Sequence, residues 1–560
     1  MAYEKLSRSV NPKQVNMSDY LHFEDWNTSD EIGLIEWLCG WGKTYVAVST
    51  TANGILSKVN ECFGLDIQPH ETLFLVSRTA IREQSLTNYS SNLKEIKSID
   101  DLSGKGFVDE PHKIRIATYH KIGSDLEENK QVPSDIKLVI CDEFHSLFAD
   151  TFASPLFAVK RWLSETPIIR IGLTATPQPL FYLSGDRHWT QTKCKEQFSF
   201  KFRNIASDTE PRYRFEHFNI VSASMSMETA FRKFKGNKDS KSIFFTYSAR
   251  TASKICRDNE DTLLFISEGN DKTDTTGTLL RDYMDFENNN KLLRGKQIPQ
   301  GFNNVIATSC FREGVDLKDD SVKTVVIQSF LPHEIIQSLG RFRNDIENVY
   351  ILANRASFEV FRNECDTVFD FLNFFKSIKD DETAKEVLRM KYEEQLSNEN
   401  GSQWYVNKYR GRYEIDYSVF AYWLYVYDCW FAATNYDGRY SAFLDKPLDT
   451  RKEFYSNMFE AYTDDAIKYL SWDRLSTMMT LLEDKLSNID IIVKPYLNKK
   501  LFADSDEREQ LVEAISAIDK YGNSRKWTTV KKWLKVNGYK VYDGRERVNG
   551  IRKSYSVISR

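Results

Sequence analysis

The feature that most constrains the fold is a series of short apolar runs separated by stretches long enough to form a helix. The runs occupy residues 33–35, 72–76, 114–117, 138–141 and 168–171, and a second series occupies residues 242–246, 263–266, 304–308, 325–327 and 349–352. Nearly continuous apolar runs are typical of parallel strands that are covered on both faces. The intervening stretches suit crossover helices. The sequence therefore predicts an α/β protein with two successive parallel-sheet domains.

Changes in composition along the chain predict five segments. They are an N-terminal arm at 1–30, a first sheet domain at 31–210, a second at 211–356, a mostly helical accessory region at 357–504 and a C-terminal module at 505–560. Within the accessory region we predict a helix over 367–397. Residues 404–431 are rich in Tyr, Trp and Phe. Such a run either stacks nucleic-acid bases or fills an interior.

The C-terminal module is strongly basic. Residues 525–560 contain eleven Lys or Arg and two Asp or Glu, so their net charge is +9. We predict a helix over 528–536 and two strands, 539–542 and 554–558, around a turn at 543–545. A helix with a basic hairpin is the outline of a winged-helix module, and the alternative is a soluble basic tail. In the winged helix, the following residues would contact nucleic acid: Lys531, Lys532, Arg545 and Arg547.

The overall composition limits the other function classes. Lys plus Arg total 76 and Asp plus Glu total 80, so any surface for nucleic acid must be local. The eight cysteines are scattered, which argues against a zinc knuckle, a redox pair or a disulfide scaffold and favours a reducing cytosol. The sequence shows neither a signal peptide nor a long apolar stretch, so we predict a cytoplasmic location.

A phosphate-binding loop follows the first apolar run. In Gly40-Trp41-Gly42-Lys43-Thr44, the glycines allow backbone N–H groups to approach phosphate oxygens. Lys43 supplies a charge for the β- and γ-phosphates, and the Thr44 hydroxyl can ligate Mg²⁺. The full pattern has a small residue six positions before the lysine, where this chain has Trp37.

Two adjacent acids, Asp142 and Glu143, end the apolar run 138–141. Ligands of open α/β sheets bind outside the carboxyl ends of the strands. Asp142 would hold hydrated Mg²⁺, and Glu143 would orient and activate the attacking water. The alternative is a pair of solvated acids at a strand end.

These signals belong to an ordered set of motifs, through which residues 30–355 resemble a superfamily 2 helicase of the DExH-box type. The motifs lie at 40–44, 76–79, 117–119, 142–145, 173–177, 244–248, 307–316 and 337–343. The resemblance implies two tandem RecA-like domains that face each other across a cleft for ATP and Mg²⁺. A two-domain motor with an accessory module also resembles helicases of phages or mobile elements that serve replication, repair or defence.

The resemblance also implies a role for each motif residue. Gly40, Trp41, Gly42, Lys43 and Thr44 would bind the nucleotide, with Thr44 and Asp142 on the metal and Glu143 as the base. The second domain would supply Gln337, Arg341 and Arg343, with Gly314 and Asp316 beside the ribose. Asn344 stands where the family often has its second arginine, so Arg341 is the main arginine finger.

Further roles implied by the resemblance concern coupling and nucleic acid. His145, Thr174 and Thr176 would couple the nucleotide to the strand, and His145 could instead be a plain core histidine. Backbone contacts would come from Ser77, Arg78, Thr118, Tyr247, Thr308 and Ser309. Gln337 and Thr308 could alternatively be polar caps. The base could be read by Gln14 or stacked on Tyr20, Phe23 or Trp26.

The predicted function is that of an ATP-dependent helicase or translocase, with single-stranded or forked DNA favoured over RNA, 3′→5′ polarity by family habit, and replication, repair or defence proteins as partners. One alternative is a duplex translocase that serves a partner nuclease. Another is a nucleic-acid-binding protein with a degenerate ATPase, in which Trp37 and Trp41 block the nucleotide.

Overall fold

The computed structural model describes most of the chain. The described residues are 5–12, 14–103, 109–151, 154–186, 188–221, 225–267, 270, 272–308, 311, 316–352, 355–397, 404–434, 454, 458, 467–470, 493–517, 527–536, 539–548 and 551–559. The chain forms two compact units, Met1–Tyr469 and Leu470–Arg560. Among the described residues, no helix has both the length and the apolar character needed to cross a membrane.

The first lobe is a parallel sheet of seven strands. They are β1 (Glu31–Ile35), β2 (Thr72–Val76), β3 (Leu93–Glu95), β4 (Ile114–Thr118), β5 (Leu138–Cys141), β6 (Ile169–Leu173) and β7 (Lys201–Asn204). Their order is β3-β4-β2-β5-β6-β1-β7. Among the described residues of this lobe, the sheet packs with eight helices: α1 (Lys43–Val48), α2 (Ile55–Phe63), α3 (Thr79–Asn88), α4 (Tyr119–Glu127), α5 (Ser146–Ala149), α6 (Pro155–Glu165), α7 (Gln178–Leu183) and α8 (Trp189–Phe198). Each apolar run predicted in this part of the chain contributes to a strand.

The second lobe repeats this topology. Its strands are β8 (Phe215–Val221), β9 (Lys241–Phe245), β10 (Thr262–Phe265), β11 (Asn304–Ala307), β12 (Val322–Ile327) and β13 (Ile346–Leu352), with helices α9 (Met227–Phe234), α10 (Ala249–Arg257), α11 (Phe286–Gly295) and α12 (Pro332–Leu339). The strand order β10-β11-β9-β12-β13-β8 corresponds to β3-β4-β2-β5-β6-β1 of the first lobe. The tandem parallel-sheet fold is therefore confirmed.

The accessory region begins with two helices, α13 (Arg355–Ser377) and α14 (Asp381–Ser397). The prediction of one helix over 367–397 is wrong, because residues 378–380 are not helical and separate the two helices. The Oδ2 atom of Asp380 accepts a hydrogen bond from the Thr383 backbone N–H at 2.7 Å and starts the second helix. A hairpin of β14 (Val406–Tyr409) and β15 (Arg412–Ile415) follows, then α15 (Tyr417–Thr434) and β16 (Ile467–Leu470), which joins the sheet of the second lobe.

Helix α15 carries most of the aromatic run and is buried between the lobes. Its residues pack in the cores of both lobes. The Tyr182 hydroxyl of the first lobe donates to Asp428 Oδ2 at 2.9 Å, and the Tyr425 hydroxyl lies 3.2 Å from Nδ1 of His333 in the second lobe. A buried ion pair of 2.5 Å between Lys160 and Asp416 anchors the start of the helix. The run is therefore interior, and the base-stacking interpretation is wrong.

The second compact unit contains β17 (Lys500–Phe502), α16 (Asp506–Ala517), α17 (Trp527–Val536), β18 (Lys540–Val548) and β19 (Ile551–Ser559). The three strands form an antiparallel sheet in the order β17-β19-β18, so this module begins before residue 505. The predicted turn at 543–545 is wrong, because Gly544 lies within β18 opposite Tyr555. A Cβ atom at Gly544 would lie 2.5 Å from Cζ of Tyr555, so a larger residue would require this ring to shift.

Candidate active site

The phosphate loop, residues 36–44, joins β1 to α1. Gly40 and Gly42 have φ angles of 87° and 82°, which lie in the left-handed region that favours glycine. Within the described part of the chain, no atom lies within 4 Å of a Cβ atom built on Gly42. Nζ of Lys43 donates to the Trp37 carbonyl oxygen at 2.6 Å. The loop thus presents an open backbone surface, and backbone carbonyl groups hold its lysine.

The two acids follow β5 at the carboxyl end of the sheet. The Asp142 backbone N–H donates to the Leu75 carbonyl at 2.7 Å, and the Tyr119 hydroxyl donates to the Asp142 carbonyl at 2.7 Å. Glu143 has a φ angle of 46°, an uncommon conformation for a non-glycine residue that costs about 1–3 kcal/mol. Its Oε2 atom is buried, lies 3.6 Å from Nδ1 of His145, and accepts no hydrogen bond from the residues that the structure describes. The strained backbone therefore aims an unsatisfied carboxylate oxygen into the site.

The electrostatics of Asp142 suit a bound cation. Burial and the neighbouring Glu143 carboxylate raise the pKa of Asp142, while the charges of Lys43 and Arg341 oppose this shift. A divalent cation would stabilise the ionised form further. Oxygen ligands are those that Mg²⁺ prefers, and Asp142 and Thr44 carry such oxygens at the same cavity.

The second lobe brings two arginines to the same place. Nη2 of Arg341 lies 4.0 Å from Oε1 of Glu143. Arg343 pairs with Asp316 and donates to the Gly340 carbonyl at 2.5 Å. Its guanidinium covers the phosphate loop, since a Cβ atom at Gly40 would lie 2.9 Å from its Cζ. Arginines from one lobe thus contact the acid and the loop of the other.

A cavity of about 1060 Å³ lies between these groups. Gly40, Gly42, Lys43, Thr44, Asp142 and Glu143 line it from the first lobe, and Asp316, Arg341 and Arg343 line it from the second. These are nine of the predicted nucleotide, metal and catalytic residues. Gly314 lies outside the described residues, and Trp41 is fully buried and does not line the cavity.

A buried hydrogen-bond chain crosses from one lobe to the other. Nε2 of Gln337 donates to Nε2 of His145 at 2.7 Å, so the imidazole proton is on Nδ1, which donates to the Thr174 hydroxyl at 3.1 Å. Gln337 also lies 3.5 Å from the Thr176 hydroxyl. The capping alternative for Gln337 is therefore wrong, and its contacts join the helix that precedes Arg341 to His145 and Thr176 of the first lobe.

Three of the predicted nucleic-acid residues of the lobes, Arg78, Thr118 and Tyr247, have protein partners for their side chains. The Thr118 hydroxyl caps α4 by accepting from the Lys121 N–H at 3.2 Å. Arg78 pairs with Asp150 at 2.9 Å, and the Tyr247 hydroxyl donates to Glu334 at 2.7 Å. Ser77 is buried, the Thr308 N–H donates to the Phe265 carbonyl, and Ser309 lies outside the described residues. Their contact with a strand stays a prediction.

The base-reading candidates are not brought to the cavity. Phe23 and Trp26 pack on each other in the core, where Trp26 covers Gly33, and neither Gln14 nor Tyr20 lines the cavity. The walls near the N-terminal arm come instead from residues that the sequence analysis missed: Asn11, Pro12, Val15, Met17, Tyr45, Asn88 and Tyr89. None belongs to a local motif, so no sequence signal identified them.

The basic residues of the C-terminal module differ in their pairing. Nζ of Lys531 donates to Asp543 at 2.8 Å. Arg545 and Arg547 are exposed, and Arg547 lies directly opposite Arg552 on β19. Within the part of the chain that the structure describes, neither Arg545 nor Arg547 forms an ion pair. Like charges that face each other are unfavourable, so this end of the hairpin suits a polyanion. The Lys532 side chain lies outside the described residues.

Glu36, at the start of the phosphate loop, should make the stability of the fold depend on pH. Burial and the nearby Asp208 raise its pKa from 4.5 to about 7. The folded state therefore holds its proton more tightly than the unfolded state, and stability falls as pH rises from about 4.5 to 7. Glu36→Gln should remove this penalty. We expect the variant to be more stable than wild type by on the order of 3 kcal/mol at pH 8, and by less than about 1 kcal/mol at pH 5.

Thermal melting across this pH range measures the effect. Glu287→Gln, at an exposed position on α11, is the control and should leave the pH profile unchanged. Parallel pH profiles for wild type and Glu36→Gln would show that Glu36 is not held neutral in the fold.

A family model and several solved structures are similar to this chain. Residues 7–179 match the family model described as Type III restriction enzyme, res subunit. No curated protein matches the chain. Among solved structures, Dbp5 of S. cerevisiae bound to RNA and ADP BeF3 aligns at 12% identity and a TM-score of 0.37, over 60% of this chain and 83% of that one. The helicase Lhr of Mycobacterium smegmatis, bound to ssDNA and AMP-PNP, aligns at 16% identity and a TM-score of 0.36, over 61% of this chain and 46% of that one.

The family match covers the phosphate loop, the strand-end acids and the Thr174-Ala175-Thr176 segment, all of which lie between residues 7 and 179. The second lobe repeats the topology of the first, and its Arg341 and Arg343 line the same cavity as the phosphate loop. Residues 7–179 of the chain are therefore similar to the res subunit family of Type III restriction enzymes.

Proposed function

We propose that the chain hydrolyses ATP between its two lobes and uses this cycle to move along nucleic acid, with DNA as the favoured partner. One observation carries the proposal: Lys43 and Thr44 of the first lobe and Arg341 of the second line the same cavity, together with Asp142 and Glu143. A site divided between two lobes is complete only when they meet, which couples chemistry to motion.

The residues fit ATP and Mg²⁺. Lys43 and the open backbone at Gly42 would hold the β- and γ-phosphates, and Thr44 and Asp142 would hold the metal. Bound Mg²⁺ would supply neutralisation of the charge on the phosphates. Oε2 of Glu143 supports this assignment. It lies 3.6 Å from Nδ1 of His145 but accepts no hydrogen bond from the described residues, and a buried carboxylate oxygen without a hydrogen bond is costly unless a ligand or water occupies the site.

Each side chain then has a defined task. Glu143 orients the attacking water and accepts its proton. Arg341 donates to the γ-phosphate, where charge develops during phosphoryl transfer. Gln337 keeps His145 in the tautomer that bonds Thr174, so a shift of the second lobe alters contacts beside the base.

The degenerate-ATPase alternative loses its main support. Trp37 and Trp41 have no exposed surface and do not line the cavity. They therefore leave the nucleotide space open rather than filling it.

A duplex translocase that serves a partner nuclease is the second candidate. The match to the res subunit family of Type III restriction enzymes favours it. This candidate predicts that duplex DNA stimulates hydrolysis and that strands stay paired.

The test is an ATPase assay titrated with single-stranded DNA, duplex DNA, forked DNA and RNA, with strand displacement followed in parallel. A helicase should respond to single-stranded or forked DNA and separate strands. Stimulation by duplex alone without separation would favour the translocase, and hydrolysis that no nucleic acid stimulates would contradict both.

The C-terminal module gives a separate prediction. In the full chain, Arg545→Gln with Arg547→Gln should weaken DNA binding and reduce its salt dependence. If both arginines contact phosphates, the slope of log Kd against log salt concentration should fall by roughly 1–2 units. The matched control is Lys385→Gln with Arg389→Gln, two exposed basic residues of α14. Equal salt slopes for the Arg545/Arg547 variant and wild type would reject the module as a DNA contact.

A further inference from the structure

The linker between the lobes, residues 205–214, is hydrogen-bonded to the phosphate loop. Nε1 of Trp37 donates to the Ser207 carbonyl at 3.0 Å, and Nε1 of Trp41 donates to the Glu210 carbonyl at 2.8 Å. Between them, the Leu38 N–H donates to the Thr209 hydroxyl at 2.9 Å. The two tryptophans that depart from the usual phosphate-loop pattern thus bind the linker.

Arg212 continues this contact. Its guanidinium carbon lies 3.6 Å from the ring centroid of Trp41, a cation–π stack. Its Nη1 donates to the carbonyl oxygens of Arg8 and Val10 at 2.8 and 2.9 Å. The tryptophan ring and the two carbonyls therefore fix the plane of the guanidinium.

The remaining side of Arg212 has no partner among the described residues. Its Nη2 is buried without a hydrogen bond. No carboxylate of the described ranges pairs with it, whereas Arg343 pairs with Asp316 and Arg341 lies near Glu143. Burial and the neighbouring charge of Arg343 lower the pKa of Arg212. An unpaired buried donor on a charged group is costly, and an anion would remove that cost.

Arg212 lines the same cavity as Lys43 and Arg343. We propose that Arg212 is a positioning residue that binds the nucleotide polyphosphate beyond its α-phosphate, with Trp41 holding its guanidinium in place. This inference rests on the proposed ATP site. It adds a cation from the linker, outside every recognised motif, and it assigns a purpose to the tryptophan in the phosphate loop. A planar fork of donors matches phosphate oxygens, which a lysine does less well.

Binding of AMP, ADP and AMP-PNP with Mg²⁺ to the full chain tests the proposal by calorimetry. Arg212→Gln should weaken the binding of ADP and AMP-PNP by about tenfold, since one charge-assisted contact is lost. The affinity for AMP should stay within about twofold of wild type. Arg212→Lys keeps the charge and should weaken the binding of ADP by about threefold to fivefold. Arg214→Gln, an exposed arginine of the same linker, is the control and should bind all three like wild type.

The outcomes separate the claims. Wild-type affinities in Arg212→Gln, or equal losses for AMP and ADP, would overturn the inference, because a purely structural role would not distinguish the nucleotides. Should Arg212→Gln fail to fold, Arg212→Lys decides by the same comparison: a loss confined to ADP and AMP-PNP supports the inference, and any other result overturns it. If wild type binds none of the nucleotides, the proposed function itself fails.

Discussion

Replacing Glu143 with glutamine is expected to reduce the turnover number for ATP by about 10²–10⁴-fold, the range that a general base contributes. The amide keeps the shape of the side chain but cannot accept the proton of the attacking water. Asp142, Lys43 and Thr44 remain, so the affinity for ATP and Mg²⁺ should stay within about threefold of wild type. Steady-state hydrolysis and binding of a fluorescent ATP analogue measure the two quantities separately.

The Glu143 result has two internal checks. Glu287→Gln makes the same chemical change at an exposed position and should hydrolyse ATP normally. Lys43→Ala should also abolish turnover, but through weaker phosphate binding, so its affinity for ATP should fall as well. Normal hydrolysis by Glu143→Gln would show that another group activates the water.

Replacing Arg341 with alanine should reduce turnover by about 10³–10⁵-fold, the contribution of an arginine finger. Arg341 belongs to the second lobe yet lies 4.0 Å from the Glu143 carboxylate. As an arginine finger it would stabilise the charge that develops in the transition state more than it would stabilise bound ATP, so the affinity for ATP should change little. Arg341→Lys should also be poorly active, because lysine lacks the planar fork of donors. Single-turnover hydrolysis measures the chemical step directly.

The control for Arg341 is Arg389→Ala, an exposed arginine on α14 that pairs with neighbouring glutamates of its own helix. It should hydrolyse ATP like wild type. If Arg341→Ala keeps more than about a tenth of the wild-type rate, the second lobe does not supply the finger through this residue.

Much of the fold could be predicted because its central strands are buried on both faces. All five residues of β2 are buried, and this burial makes them a continuous apolar run. β7 exposes three of its four residues, and β3 has only three residues, so neither produces such a run. The turn predicted at 543–545 is wrong for a related reason: Gly544 resembles a turn residue locally, whereas in the fold it lies in a strand, against the ring of Tyr555.

Some residues of the site could likewise be predicted from the sequence, and others could not. Lys43, Asp142 and Arg341 belong to local motifs, so their residue types and spacing are enough to indicate their chemistry. Arg212 belongs to no motif, and its neighbours Trp41 and Arg343 are distant in sequence, so only the folded chain brings them together. The contacts of Gln337 with His145 likewise depend on how the two lobes meet.

The central claim is that Lys43 and Arg341 act on the same triphosphate. A crystal structure of Glu143→Gln with ATP and Mg²⁺ tests it most directly. We expect Nζ of Lys43 to leave the Trp37 carbonyl for a β- or γ-phosphate oxygen, with the Arg341 guanidinium within hydrogen-bonding distance of the γ-phosphate. A triphosphate bound outside this cavity, or Arg341 directed away from it, would contradict the account.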